Sequence, residues 1–152
     1  MLNIALWEPE IPPNTGNIAR LCAANGIPLH LIGRLGFRLD EKSLKRAGLD
    51  YWNAVEIVRH NTFHDFEQTI DPTRIFCLSA HAERSYDQVQ YQPGDTLLFG
   101  SESRGLPDEI KERYLNQMLI IPMLTNYVRS LNLATAVGVV LYEALRQIRA
   151  WD

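Results

Sequence analysis

A chain of 152 residues with 46% hydrophobic and 22% charged content has the balance of one globular domain, large enough to bury its own core. Its formal net charge of −3 excludes a global attraction to nucleic acid or to an anionic membrane, so any such partner has to be held by a local patch. No apolar run approaches the ~18 residues needed to span a bilayer, and the opening MLNIALWEPE lacks the basic flank and cleavage site of a signal peptide. Cys22 and Cys77 sit among apolar neighbours and read as two buried free thiols in a reducing cytoplasm.

Leu2 to Trp7 is a short apolar run without alternation, the pattern of a strand buried on both faces. The loop Glu8-Pro9-Glu10-Ile11-Pro12-Pro13 follows, and its prolines forbid regular pairing. Asn14 or Thr15 then caps a helix running to about Asn25, with Gly26 as its stop. Asn14, Asn17 and Arg20 recur in it at i, i+3 and i+6 and are expected along one side. A dinucleotide-binding turn needs G-x-G-x-x-G at this point, but Gly16 stands alone and no P-loop occurs, which argues against the commonest nucleotide-binding folds. Leu29 to Ile32 reads as a second strand and Asp40 to Ala47 as a helix, basic on its exposed side through Lys42, Lys45 and Arg46. That basic side is either a solvated face or a phosphate-contacting patch. Trp52 to Val58 predicts a third strand and Thr62 to Ile70 a helix. His60 and His64 lie four apart with no Cys or carboxylate cluster to complete a metal site, so no metal is expected. Arg74 to Ala80 reads as a fourth strand, and the polar stretch to Pro93 as a loop.

The stretch from Leu97 to Ala136 organises the rest. Two apolar runs, Leu97 to Phe99 and Met118 to Met123, read as the fifth and sixth strands, and each breaks abruptly into small and polar residues. Pro107 opens a helix to about Tyr114. The last helix starts near Ser130 or Asn132 and runs to about Ala150, with Leu133, Val137, Val140, Leu141, Ala144 and Ile148 as its core stripe. Its start is apolar nearly all round, which points to burial against a second subunit. Strands alternating with helices predict one α/β domain with a mainly parallel sheet flanked by helices. Ligands in such sheets sit beyond the carboxyl ends of the strands, so two strand ends breaking into loops predict one pocket built from both. Gly100 lets the backbone come close to a ligand there, and a side chain at Gly100 is expected to fill ligand space while leaving the fold intact.

Three groups of residues resemble, in order and spacing, the motifs of the SPOUT RNA methyltransferases. They are Asn14-Thr15-Gly16-Asn17 with Arg20, Phe99 to Leu106, and Ile121-Pro122-Met123 with Ser130-Leu131-Asn132-Leu133. The resemblance covers essentially the whole chain. The PEIPPNTGNIARLCA and RAGLDYW segments are most similar to the small, single-domain tRNA (cytidine/uridine-34 2′-O)-methyltransferases. This implies a C-terminal part threaded into a deep trefoil knot, S-adenosylmethionine as methyl donor, a homodimer through the first and last helices, and the tRNA anticodon stem-loop as partner. It further implies a cofactor pocket at Leu78, Gly100, Glu102, Ile121, Met123, Ser130 and Leu131, and RNA contacts from Asn17, Arg104, Arg129, Lys45 and Arg46. Arg20 and Tyr142 are the implied catalytic residues. A guanidinium with a pKa above ~12 is a poor base, so Arg20 reads as an orienting and charge-stabilising donor. Tyr142, polar in an otherwise apolar helix, reads as reaching the site from the partner subunit. The middle of Leu124-Thr125-Asn126-Tyr127-Val128-Arg129 departs from the family pattern, and Leu131 stands where the family commonly has Met. Two other readings stay open: a methyltransferase of this fold acting on another tRNA position or on ribosomal RNA, and a catalytically silent RNA- or cofactor-binding module. The presence of Arg20 alongside both cofactor loops argues against the second.

Overall fold

The computed structural model describes residues 1–39 and 52–152. The helix expected from Asp40 to Ala47, with Lys45 and Arg46, lies outside the described residues. Strands β1 (Asn3–Trp7), β2 (Leu29–Ile32), β3 (Ile57–His60), β4 (Ile75–Leu78), β5 (Arg84–Ser85), β6 (Thr96–Phe99) and β7 (Met118–Ile120) form one sheet. Its order is β3-β2-β1-β6-β4-β7-β5, and every pairing is parallel. Helices α1 (Pro12–Asn25), α2 (Phe63–Glu67), α3 (Asp108–Arg113) and α4 (Leu133–Ile148) flank it. The expected mainly parallel sheet flanked by helices is therefore found.

Both sheet faces are covered, which is why the strands read as unbroken apolar runs. Ile4 and Leu6 of β1, Leu29 and Leu31 of β2, and Leu97 and Phe99 of β6 share one core with Ile18 and Cys22 of α1 and with Val137, Val140, Leu141 and Ala144 of α4. Ala5, Ile32, Leu98, Ile75 and Cys77 point the other way, onto Phe66 of α2, Ile110 of α3 and Tyr114. Cys22 and Cys77 are free and buried, and burial pushes both thiols up to about 12, so neither is a nucleophile near neutral pH.

Several boundaries differ from expectation. Helix α1 begins at Pro12 with Ile11 as its cap residue and no side-chain cap, and Asn14 and Thr15 are buried inside it. Proline suits the first turn because its missing N–H is one the helix start leaves unpaired anyway. Gly26 does end the helix, with a left-handed φ of 61°. The third strand is Ile57–His60 rather than Trp52–Val58; Trp52–Ala54 forms a 3₁₀ turn. Helix α2 is shorter than expected, and Thr62 caps it by accepting from the Asp65 N–H (3.1 Å). The stretch expected to be all loop contains β5, which pairs with β7. Of the two starts expected for α4, Asn132 is the cap: its Oδ1 accepts from the Thr135 N–H (3.2 Å).

Candidate active site

The loops after β1, β4, β6 and β7 leave the sheet at the same end, because all four strands are parallel and adjacent. The loop after β6 closes on itself. Ser101 and Gly105 exchange backbone hydrogen bonds (Ser101 N–H to Gly105 O, 3.2 Å; Gly105 N–H to Ser101 O, 2.9 Å). Gly100 sits under this closure, where a Cβ would stand 2.2 Å from the Gly105 carbonyl carbon and 2.4 Å from the Leu106 nitrogen. Its missing side chain is thus required by its own loop. This corrects the expectation that a side chain at Gly100 would occupy ligand space and leave the fold intact.

The loop after β1 and the loop after β6 clamp each other. The Glu102 carboxylate accepts from the Glu10 N–H (2.9 Å), the Ile11 N–H (2.8 Å) and Asn14 Nδ2 (3.2 Å). In return, Glu10 Oε1 accepts from the Ser103 N–H (2.9 Å) and Ser103 Oγ (2.6 Å). Those Ser103 bonds hold the Glu10 carboxyl below its ordinary value, so Glu10 is charged at neutral pH. Glu8 stands at a left-handed φ of 44°; one of its oxygens accepts from the Arg34 N–H (2.9 Å), and the other meets Arg104 Nη2 at 3.3 Å. Glu8 and Glu10 carry no part of the sequence reading. Their one signal was position: two carboxylates flanking a proline, in a loop whose prolines leave few N–H groups to hold it.

Asn14 extends the clamp to the third loop. Its Oδ1 accepts from Asn132 Nδ2 (3.0 Å), and the Oδ1 of Asn132 caps α4. Each amide donates on one side and accepts on the other, so both orientations are fixed by their partners. The three sequence motifs meet here in one chain of hydrogen bonds, Glu102 to Asn14 to Asn132. Asn14 does not share a side with Asn17 and Arg20 as expected: it is buried, and they are exposed. Steps of three residues fall about 60° short of a full turn each, so i and i+6 drift about 120° apart. The exposed stripe of α1 is instead Pro13, Asn17, Arg20 and Ala24.

The other sequence-predicted residues divide in two. Leu78, Gly100, Glu102, Ile121, Met123 and Leu131 are half-buried around the strand ends, and Ser130 is exposed beside them. The apolar members, Leu78, Ile121, Met123 and Leu131, suit a flat adenine better than a phosphate. Arg104 and Arg129 are exposed at the same end. Tyr142 stands elsewhere: its hydroxyl accepts from Asn25 Nδ2 (3.3 Å), and its ring lies 6.2 Å from that of Trp151. Helices α1 and α4 run side by side in the same direction, since Asn14 meets Asn132 near their starts and Asn25 meets Tyr142 farther along. Tyr142 is therefore about 15 Å along α4 from the loops, and Arg20 about 9 Å past Asn14. Among the described residues no group of three or more His, Cys, Asp or Glu side chains is placed to hold a metal ion. His60 faces His30 rather than His64, ring nitrogen to ring nitrogen at 2.9 Å.

Residues 1–142 match the SpoU rRNA Methylase family. A tRNA (cytidine(34)-2'-O)-methyltransferase of Aeromonas hydrophila is 52% identical over 149 residues, covering 97% of this chain and 95% of that protein. A solved structure described as giving insight into the 2-OH methylation of cytidine or uridine 34 on tRNA superposes with a TM-score of 0.89 at 52% identity, over 97% of this chain and 95% of that one. The SpoU methyltransferase AviRb of Streptomyces viridochromogenes, solved with the cofactor AdoMet, superposes at 0.81 with 26% identity, over 97% of this chain and 60% of that one. On a match running from the first residue to the last helix, the chain belongs to the SpoU rRNA methylase family.

Proposed function

We propose that this chain is an S-adenosylmethionine-dependent tRNA methyltransferase that modifies the ribose 2′-hydroxyl of the wobble nucleotide, cytidine or modified uridine 34. The observation that carries the reading is the joining of three loops through Glu102, Asn14 and Asn132 at the strand ends, in a family whose relatives at about half identity bear that name. S-adenosylmethionine supplies an electrophilic methyl group; Leu78, Ile121, Met123 and Leu131 would hold its adenine, with Gly100, Glu102 and Ser130 shaping the loops around it. Glu102 does so through backbone, by fixing the chain at Glu10 and Ile11.

Arg20 acts as the orienting donor for the ribose oxygen, stabilising charge as the hydroxyl proton passes to a neighbouring phosphate or water. Its distance of about 9 Å along α1 from Asn14 supports a homodimer through α1 and α4, in which Arg20 and Tyr142 approach the partner's loops. Asn17, Arg104 and Arg129 contact the anticodon stem-loop, joined by Lys45 and Arg46. The Glu8–Arg104 pair is exposed and weak enough to yield to a phosphate. The placement of β7 between β4 and β5, both earlier in the chain, supports the knotted C-terminal path. No helix among the described residues is long and apolar enough to cross a membrane, and a cytoplasmic setting fits two reduced thiols.

Labelled S-adenosylmethionine, total tRNA from a strain lacking the enzyme, and mapping of the modified nucleoside test the reading. Label in a 2′-O-methylated nucleotide 34 is the expected result. Label at another tRNA position or in ribosomal RNA redirects the substrate, and no label in any RNA leaves a silent binding module.

A further inference from the structure

We infer that Tyr127 is a stacking platform for an unpaired base of the anticodon loop, so that the loop between β7 and α4 reads the RNA as well as closing the cofactor pocket. The inference rests on the proposed function and adds a specificity-determining residue to it. Leu124, Tyr127 and Val128 are 102%, 89% and 55% exposed, three large apolar side chains within five residues of one loop. Single exposed apolar residues are ordinary, but a cluster on one loop marks a contact surface.

The loop's place says what the contact is. It leaves the carboxyl end of β7 and enters α4 at Asn132, which is bonded through Asn14 to the Glu102 loop. Its base is thus fixed at the mouth of the candidate pocket, where the target ribose has to enter. From Tyr114 to Tyr142 the only charged side chain is Arg129, so the loop offers a cation and an aromatic ring with no carboxylate of its own. That pairing matches a splayed nucleotide, whose base stacks on a ring while its phosphate meets a guanidinium. The adenine of the cofactor already has half-buried apolar residues for its cradle, whereas Tyr127 stands out in solvent. A second copy of the chain has the long exposed stripes of α1 and α4 to pack on.

Methylation and binding of an anticodon stem-loop by the full chain test this. Wild-type turnover on the stem-loop is the control for the proposed function, and its absence would sink that reading. Given turnover, Tyr127→Ala should raise KM and Kd for the stem-loop roughly 5- to 150-fold, the span of base stacking on an aromatic. Turnover at saturating RNA, calorimetric S-adenosylmethionine affinity, melting temperature and sedimentation should match wild type. Tyr127→Phe and Tyr127→Trp should restore binding. Stem-loops made abasic at each loop position in turn should reveal one position where wild type weakens by the same factor and Tyr127→Ala loses nothing more. Unchanged RNA binding in Tyr127→Ala overturns the inference. So does a loss of cofactor affinity, which gives the ring to the cofactor, or a shift to monomer, which gives it to the subunit interface. A Phe variant as weak as Ala also overturns it, because the hydroxyl and not the ring would then be at work.

Discussion

Arg20 lies on the exposed stripe of α1, about 9 Å along the helix from Asn14, so the part proposed for it in the reaction is separable from cofactor binding. Arg20→Lys keeps the charge and loses the planar fork of donors. It should bind S-adenosylmethionine as wild type does and turn over ~10²–10³-fold more slowly in single-turnover methylation of a saturating stem-loop, the usual cost of a donor aimed at developing charge. Near-normal turnover in both the Lys and Ala variants would leave Tyr142 or a phosphate with the role. Gly100 and Gly105 make a second contrast at this scale. A methyl at Gly100 runs into backbone, which cannot swing aside, so Gly100→Ala should open the Ser101–Gly105 closure and lower the urea midpoint together with cofactor affinity. At Gly105 a Cβ meets nothing within 4 Å, and φ is 66°. Gly105→Ala should therefore cost only the left-handed strain, about 1–2 kcal/mol. If Gly100→Ala kept wild-type stability and lost only the cofactor, the position would be ligand space after all.

At the scale of elements, β2, β3 and α2 enclose a polar pair. The His30 ring lies between Asn3 Oδ1 (3.1 Å) and His60 Nε2 (2.9 Å), and Phe66 abuts both imidazoles edge-on. Because Asn3 Oδ1 only accepts, His30 Nε2 carries the proton and its Nδ1 accepts from His60. Burial and the neighbouring His60 lower His30 from 6.5 to about 4, and burial lowers His60, with Asp65 opposing and Arg59 adding to the shift. A histidine depressed in the fold contributes stability that is full above about pH 6.5 and is lost as the pH falls toward about 4. Urea midpoints from about pH 7.5 to about pH 4.5 should show a loss on the order of 2 kcal/mol that His30→Gln largely removes. Equal pH slopes in the two proteins would refute it. The same pair shows where the sequence was opaque. β3 ends in Arg59-His60, which reads as loop until His30, thirty residues earlier, supplies its partner. β5 is two polar residues whose only reason to be extended is the edge of β7. The start of α1 is not legible locally because its first-turn partner is Glu102, about ninety residues away. The apolar strands, the Gly26 stop and the polar break after Phe99 were legible because local patterning alone determines them.

At the scale of the whole molecule, each of the two long helices carries a largely exposed stripe: Pro13, Asn17, Arg20 and Ala24 on α1, and Thr135, Val139, Tyr142 and Arg146 on α4, where Val139 is half-buried and the other three are exposed. If these stripes join two copies, each active site takes its cofactor loops from one chain and Arg20 from the other. Ala24→Glu adds a charge at an exposed position, so the monomer should keep its circular dichroism while sedimentation at micromolar concentration shifts from dimer to monomer and methylation is lost. A wild type that sediments as a monomer with full activity would end the proposal. Sharing between subunits has a sharper consequence. Arg20→Ala and Gly100→Ala each remove one half of every site, so each protein alone should be nearly inactive. Random exchange makes about half the dimers mixed. In a mixed dimer, the intact loops of the Arg20→Ala chain face the intact Arg20 of the Gly100→Ala chain, and one of its two sites works. Mixing equal amounts should thus restore about a quarter of wild-type activity from two inactive proteins. If Arg20 served the loops of its own chain, every site in every dimer would carry one of the two lesions, and mixing would restore nothing.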